Sequence, residues 1–210
     1  SRILRVAGTV LPVTIDNVQL GARYEDGREQ IGQHHIDQPS DDFTGAQITD
    51  IWLTPPAQLT TSARTALATA DFILLGPGDL FTSILPNCIV AGFAAAIPST
   101  TPVGFVQNLM NKRGQTEGMT RADYVAVLAR YLGRMPDIIF LNMTPLPAAL
   151  LAEYERRGDY PVFQPPTADR LVQRPLINVE PVTLQPSDVV ARSLIRHDPD
   201  KLASAIMDVL

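Results

Sequence analysis

Along residues 9–37 apolar and polar positions alternate, with Val18, Leu20 and Ala22 interleaved with Asn17, Gln19, Gly21 and Arg23. A period of two belongs to a strand with one buried face, and Asp26-Gly27 supplies a turn, so residues 9–37 are expected to form a β-hairpin excursion. From Ile48 onward apolar runs alternate with helical patterns: strand 48–53, helix 60–70, strand 72–75, helix 84–96, strand 103–107, helix 121–132, strand 138–141 and helix 147–158. That order implies parallel strands joined by right-handed helical crossovers. Thr120 and Asp123 make a capping pair for helix 121–132, and Gly133 ends it. Prolines clustered between Pro161 and Pro186 mark an irregular return segment. A final helix opens with Asp198 as N-cap and Pro199 in its first turn, and carries Leu202, Ile206 and Leu210 on one face. The expected fold is α/β, a Rossmann-like doubly wound and mainly parallel sheet, in a single domain over residues 1–210 with the small β excursion near its N-terminus.

Composition narrows the function classes. With 45% hydrophobic and 19% charged residues among 210, the chain can bury a substantial core. Its 17 basic and 22 acidic residues give a net charge of −5 with no basic run, which argues against nucleic acid as a partner. One cysteine, Cys88, excludes an internal disulfide and fits a reducing compartment; within the apolar run 84–96 it is expected to be a buried structural thiol. No apolar stretch reaches the roughly 18 residues of a membrane span, and the N-terminus does not read as a signal peptide. A cytoplasmic protein is expected.

The candidate chemistry centres on residues 71–87, where the apolar run Phe72, Ile73, Leu74, Leu75 stops at Gly76-Pro77-Gly78 and is followed by Asp79, Thr82, Ser83 and Asn87. Such a strand-to-glycine turn lets backbone N–H groups approach a ligand without Cβ interference, although Gly-Pro-Gly is also a common plain turn. Phe81 stands where a dinucleotide fingerprint needs its third glycine, and no P-loop pattern occurs. In doubly wound sheets ligands bind at the carboxyl ends of strands. The residues expected there are Gly76 to Ser83, Asn108 with Gly114 to Gly118, and Asn142 with Thr144. Their amides suit sugar hydroxyls and base edges, or merely close turns. Glu117, beside Gly118, is a candidate base or ribose ligand, with Asp79 as a possible second carboxylate. Arg196, before the start of the last helix, adds a bidentate donor to the positive end of that helix, where a diphosphate would be stabilised. His197 is expected to be a packed or solvated histidine rather than a catalyst, and His34-His35 lacks a third metal ligand. Tyr154, four residues after Leu150, covers a core edge or presents its ring to a ligand.

Four ordered segments carry a resemblance. Gly76-Pro77-Gly78-Asp79-Leu80-Phe81-Thr82-Ser83-Ile84-Leu85-Pro86-Asn87 resembles the G-P-G-S-L-Y-T-S-I-L-P-N segment of the gluconeogenesis factor (YvcK-like) family, relatives of the phospholactate transferases called CofD. Val10-Leu11-Pro12-Val13-Thr14, Asn108-Leu109-Met110 followed by Gly114-Gln115-Thr116-Glu117-Gly118, and Ile195-Arg196-His197-Asp198-Pro199 agree in order. Asp79 and Phe81 stand where the family pattern has Ser and Tyr, so a carboxylate replaces a small hydroxyl and a phenol is lost. The family's opening Gly-Gly-Gly-Thr-Gly turn and Asp-Asp-Gly-Gly-Ser-Ser-Gly segment have no counterpart, so the chain reads as the later part of the family's length, with half a site. Mg2+ is expected only through that absent segment. The resemblance implies a regulatory protein that binds a nucleotide or UDP-sugar through Gly76, Pro77, Gly78, Asp79, Thr82, Ser83, Asn87, Asn108, Glu117, Gly118, Tyr154 and Arg196, with Tyr154 matching the family's binding tyrosine. It would influence carbon use and cell-envelope synthesis, as a homodimer. The alternative it implies is a Mg-dependent transferase moving a phospholactate-like group from a nucleoside diphosphate carrier to a deazaflavin alcohol. The Leu-Phe-Thr-Ser-Ile-Leu-Pro-Asn form of residues 80–87 favours the regulatory branch.

Overall fold

A computed structural model describes residues 8–43, 45–162, 171–178 and 194–210. Most of the proline-rich return segment, and with it that expectation, lies outside the described residues.

The hairpin forms at its expected turn. Strand β1 (Gln19–Tyr24) pairs antiparallel with β2 (Glu29–Ile31), and the Tyr24 N–H donates to the Arg28 carbonyl at 2.9 Å across Asp26-Gly27. Strand does not extend to residue 37 as the alternation predicts: Gln33–Asp37 is a one-turn helix, α1, whose Ile36 points into the core. A second correction concerns 48–53. Strand β3 (Ile48–Thr54) does not enter the parallel array but pairs antiparallel with the other edge of β1, giving the order β2-β1-β3. Its sequence carries Thr49 and Asp50 among Ile48 and Ile51, and antiparallel sheets tolerate one wet face where parallel ones do not.

The parallel sheet follows the predicted alternation more closely. Its order is β4 (Ile73–Leu75), β5 (Val103–Val106), β6 (Ile138–Asn142), β7 (Leu171–Arg174), all parallel, and β7 is the strand that the periodicity did not predict. Helix α2 (Thr61–Ala68) precedes β4, and α5 (Arg121–Leu132) joins β5 to β6. Strand pleating divides the apolar residues. Ile73, Leu75, Val103, Phe105, Ile139 and Leu141 pack with Tyr124, Val125 and Leu128 of α5 on one face. On the other face Val106 and Phe140 pack with Leu202 and Ala205 of α7 (Pro199–Met207). Leu202 and Ala205 supply that buried stripe, whereas Leu210, predicted for it, is exposed. Asp198 caps α7, its Oδ1 accepting from the Asp200 and Lys201 N–H groups at 3.0 Å each. No described helix is long and apolar enough to cross a membrane.

The predicted helix 84–96 is broken. A π-helical turn (Leu80–Ile84) leads into α3 (Leu85–Cys88), and Gly92, at φ 92°, separates it from α4 (Phe93–Ala96). Pro86 and the glycine interrupt what hydrophobicity alone suggests is continuous. Cys88 is buried, its Sγ 3.6 Å from the Ile84 carbonyl, and burial pushes the thiol up to about 12.

Candidate ligand-binding cleft

Much of the cleft is built where regular elements end. Strand β4 stops at Gly76, whose φ of 89° is a conformation that side-chain-bearing residues rarely adopt. A Cβ there would lie 3.3 Å from the Val106 carbonyl. Gly78 has no positive φ, but a Cβ would meet the Ser83 Cβ at 3.1 Å. The Asn108 side chain, two residues past β5, donates to the Gly78 carbonyl at 2.9 Å and so ties the carboxyl ends of β4 and β5 together. Its Oδ1 is buried and has no hydrogen-bond partner among the described residues.

Between these strand ends and the start of α7 opens a cleft of about 810 Å³. Pro77, Gly78, Asp79, Asn108, Tyr154 and Arg196 of the predicted set line it, together with Asp37, Lys112, Arg157, Asp159 and His197. Three carboxylates thus face three cations. Lys112 Nζ donates to Asp37 Oδ1 at 2.6 Å and Asp79 Oδ2 at 2.9 Å, and Thr82 Oγ1 donates to Asp37 Oδ1 at 3.2 Å. Burial alone would raise the Asp37 carboxyl, but the Lys112 hydrogen bond and charge outweigh it and hold it below its ordinary range. Burial likewise opposes the Lys112 ammonium, yet both carboxylates raise it above its ordinary value. Asp159 goes the other way: burial raises it, only partly offset by the Arg113 N–H at 2.8 Å. Burial lowers His197 to about 4, which keeps the ring neutral near pH 7, and its Nε2 has no hydrogen-bond partner among the described residues. The result is a polar cleft whose fixed charges balance, with neutral amide and imidazole groups on the walls.

Tyr154 belongs to helix α6 (Ala148–Glu155) and is 8% exposed. Its hydroxyl accepts from the Leu194 N–H at 2.8 Å and the Ile195 N–H at 3.1 Å. The phenol therefore fixes the segment that carries Arg196 while its ring borders the cleft.

The other predicted residues lie elsewhere. Gly76 shapes the turn without lining the cleft, Thr82 is buried against Asp37, and Ser83 is exposed, its carbonyl accepting from Asn87 Nδ2 at 2.8 Å. Asn87 lines a separate pocket of about 340 Å³ with Val13, Thr14 and Gln33. The Glu117 carboxylate accepts from the Gly45 N–H at 3.2 Å and the Gly114 N–H at 3.3 Å, fastening two loops away from the cleft, and Gly118 at φ 72° closes that loop. Asn142 closes a turn, with Nδ2 2.8 Å from the Thr144 carbonyl and Oδ1 accepting from the Leu176 N–H at 2.9 Å. Sequence reasoning passed over Asp37, Lys112, Arg157 and Asp159 as site residues. Lys112 lies between the two matched pieces 108–110 and 114–118, and that neighbourhood was the signal available for it.

Comparison with known proteins places the chain in a family. Residues 1–184 match the model of the family described as 2-phospho-L-lactate transferase CofD. A protein of Thermotoga maritima is 35% identical over 207 residues, covering 98% of this chain and 63% of its own length. The "Gluconeogenesis factor" of Bacillus subtilis is 32% identical over 214 residues, covering all of this chain and 64% of its own. A crystal structure of a UPF0052-family protein from Bacillus halodurans superposes with a TM-score of 0.81 at 27% identity, over 98% of this chain and 64% of that one. The chain therefore spans somewhat less than two thirds of the length of these relatives, and by the extent of the family match it belongs to the CofD family.

Proposed function

We propose that this chain is a nucleotide-sugar-binding regulatory protein of the gluconeogenesis factor type, which takes a UDP-sugar in the cleft and links carbon metabolism to cell-envelope synthesis and cell shape. One observation carries the reading: Arg196, two residues ahead of the Asp198 cap of α7, lines the same cleft as the Pro77-Gly78 turn and Asn108. A cation beside a helix N-terminus suits a diphosphate, and amides suit a base or a sugar hydroxyl. The names of the relatives support regulation. The reading includes a cytoplasmic location and a homodimer.

Calorimetric titration of the full polypeptide with UDP-glucose and UDP tests it. Arg196→Ala is expected to lose roughly 1.5–3 kcal/mol of affinity, an order of magnitude or more, with the fold intact. Arg196→Lys recovers only part, because an ammonium cannot grip two oxygens at once. Unchanged affinity in both variants overturns the assignment. Formation of a phospholactyl product from a nucleoside diphosphate carrier, a deazaflavin alcohol and Mg2+ would favour the transferase instead.

A further inference from the structure

We propose that Asp79 is a specificity-determining residue of the cleft: an internal carboxylate that competes with the ligand's phosphate for the Lys112 ammonium. The inference rests on the reading above that a phosphate-bearing ligand enters this cleft.

Lys112 sits between two carboxylates that are not equivalent. Asp37 is anchored, since its Oδ1 also accepts from the Thr82 hydroxyl and its backbone carbonyl accepts from Gln115 Nε2 at 3.3 Å. Asp79 follows directly on the Pro77-Gly78 turn and its side chain is the more exposed, at 42% against 33%. A solvated ion pair is worth little, and it is the one that yields to a competing anion. Lys112 is itself held in place, its backbone N–H donating to Thr116 Oγ1 at 2.9 Å, so its side chain can change partner without the loop moving. An ammonium has three donors, and here two are turned to carboxylates.

Charge decides the direction of the effect. Two carboxylates around one ammonium leave that end of the cleft with a net charge of −1, which opposes a phosphate. Without Asp79, Lys112 and Asp37 form a neutral pair whose ammonium has donors to offer.

The test is titration of the protein and its Asp79→Ser, Asp79→Asn, Lys112→Met and Asp79→Ser/Lys112→Met variants with inorganic pyrophosphate, UDP and uridine, with thermal melting to verify folding. Both Asp79 variants are expected to bind pyrophosphate and UDP roughly tenfold more tightly, with uridine affinity unchanged. The gain disappears in the double variant, because Asp79 acts through Lys112. Equal or weaker pyrophosphate binding by both Asp79 variants overturns the proposal, as does a gain that survives removal of Lys112. Pyrophosphate binding that tightens while UDP shows no advantage over pyrophosphate supports the role of Asp79 and sinks the nucleotide reading instead. Absence of pyrophosphate binding in every variant overturns the proposal whatever uridine does.

Discussion

Two segments that leave the same parallel sheet are built in opposite ways. Helix α5 follows every local rule: Thr120 Oγ1 accepts from the Asp123 N–H, Asp123 Oδ2 accepts from the Thr120 N–H at 2.7 Å, and Gly133 at φ 72° ends it. The stretch after β4 breaks those rules in succession, with a left-handed glycine, a π-helical turn and two four-residue helices. Along α5, which turns Tyr124, Val125 and Leu128 to the core, propensity, capping and packing agree. Where the chain must leave a strand end open to a cleft, they do not, and π-turns recur at functional sites for that reason.

The contrast can be broken most forcefully from the α5 side. Leu128 is fully buried, and Leu128→Ala is expected to cost about 2–5 kcal/mol in urea unfolding without altering ligand affinity once folded. A loss of affinity at temperatures where the variant is folded would show that the two segments are not separable. A smaller effect comes from the cleft. Because burial lowers His197 to about 4, against the ordinary value of 6.5, the unfolded chain binds a proton between those values that the folded one does not. Stability therefore falls as pH drops from about 6.5 to about 4, by up to about 3 kcal/mol, and His197→Gln removes that slope. An unchanged slope in the variant would place the proton uptake elsewhere. The finest comparison is between two glycines of positive φ. Gly133→Ala meets nothing within 4 Å among the described residues and is expected to cost about 1 kcal/mol, whereas Gly76→Ala also meets the Val106 carbonyl at 3.3 Å and is expected to cost about 1–3 kcal/mol. Equal costs by chemical denaturation would mean that the turn after β4 has slack.

The same contrast explains what could be read from the sequence. Strands β4, β5 and β6 and helix α5 were legible because apolar period and capping residues act over a few positions, and α5 occupies the expected residues 121–132. The pairing of β3 was not, since Ile48 and Ile51 fit either sheet and partner choice depends on distant β1. In the cleft, Gly78 and Asn108 were legible because strand-end position predicts them. Asp37 and Lys112 were not: they are 75 residues apart and meet only through the tertiary fold. Glu117 misled for the same reason, as a loop carboxylate between small residues has the same local signature whether it faces a ligand or ties down the N–H of Gly45.

The Tyr154 phenol has a consequence of leverage. By accepting two backbone N–H groups just ahead of Arg196, it makes the position of that guanidinium a function of where α6 lies. A push on the outer face of α6, from a partner or a neighbouring subunit, would be transmitted through one oxygen atom to the rim of the cleft. One hydroxyl of the cleft wall thus sets where the guanidinium of the rim stands.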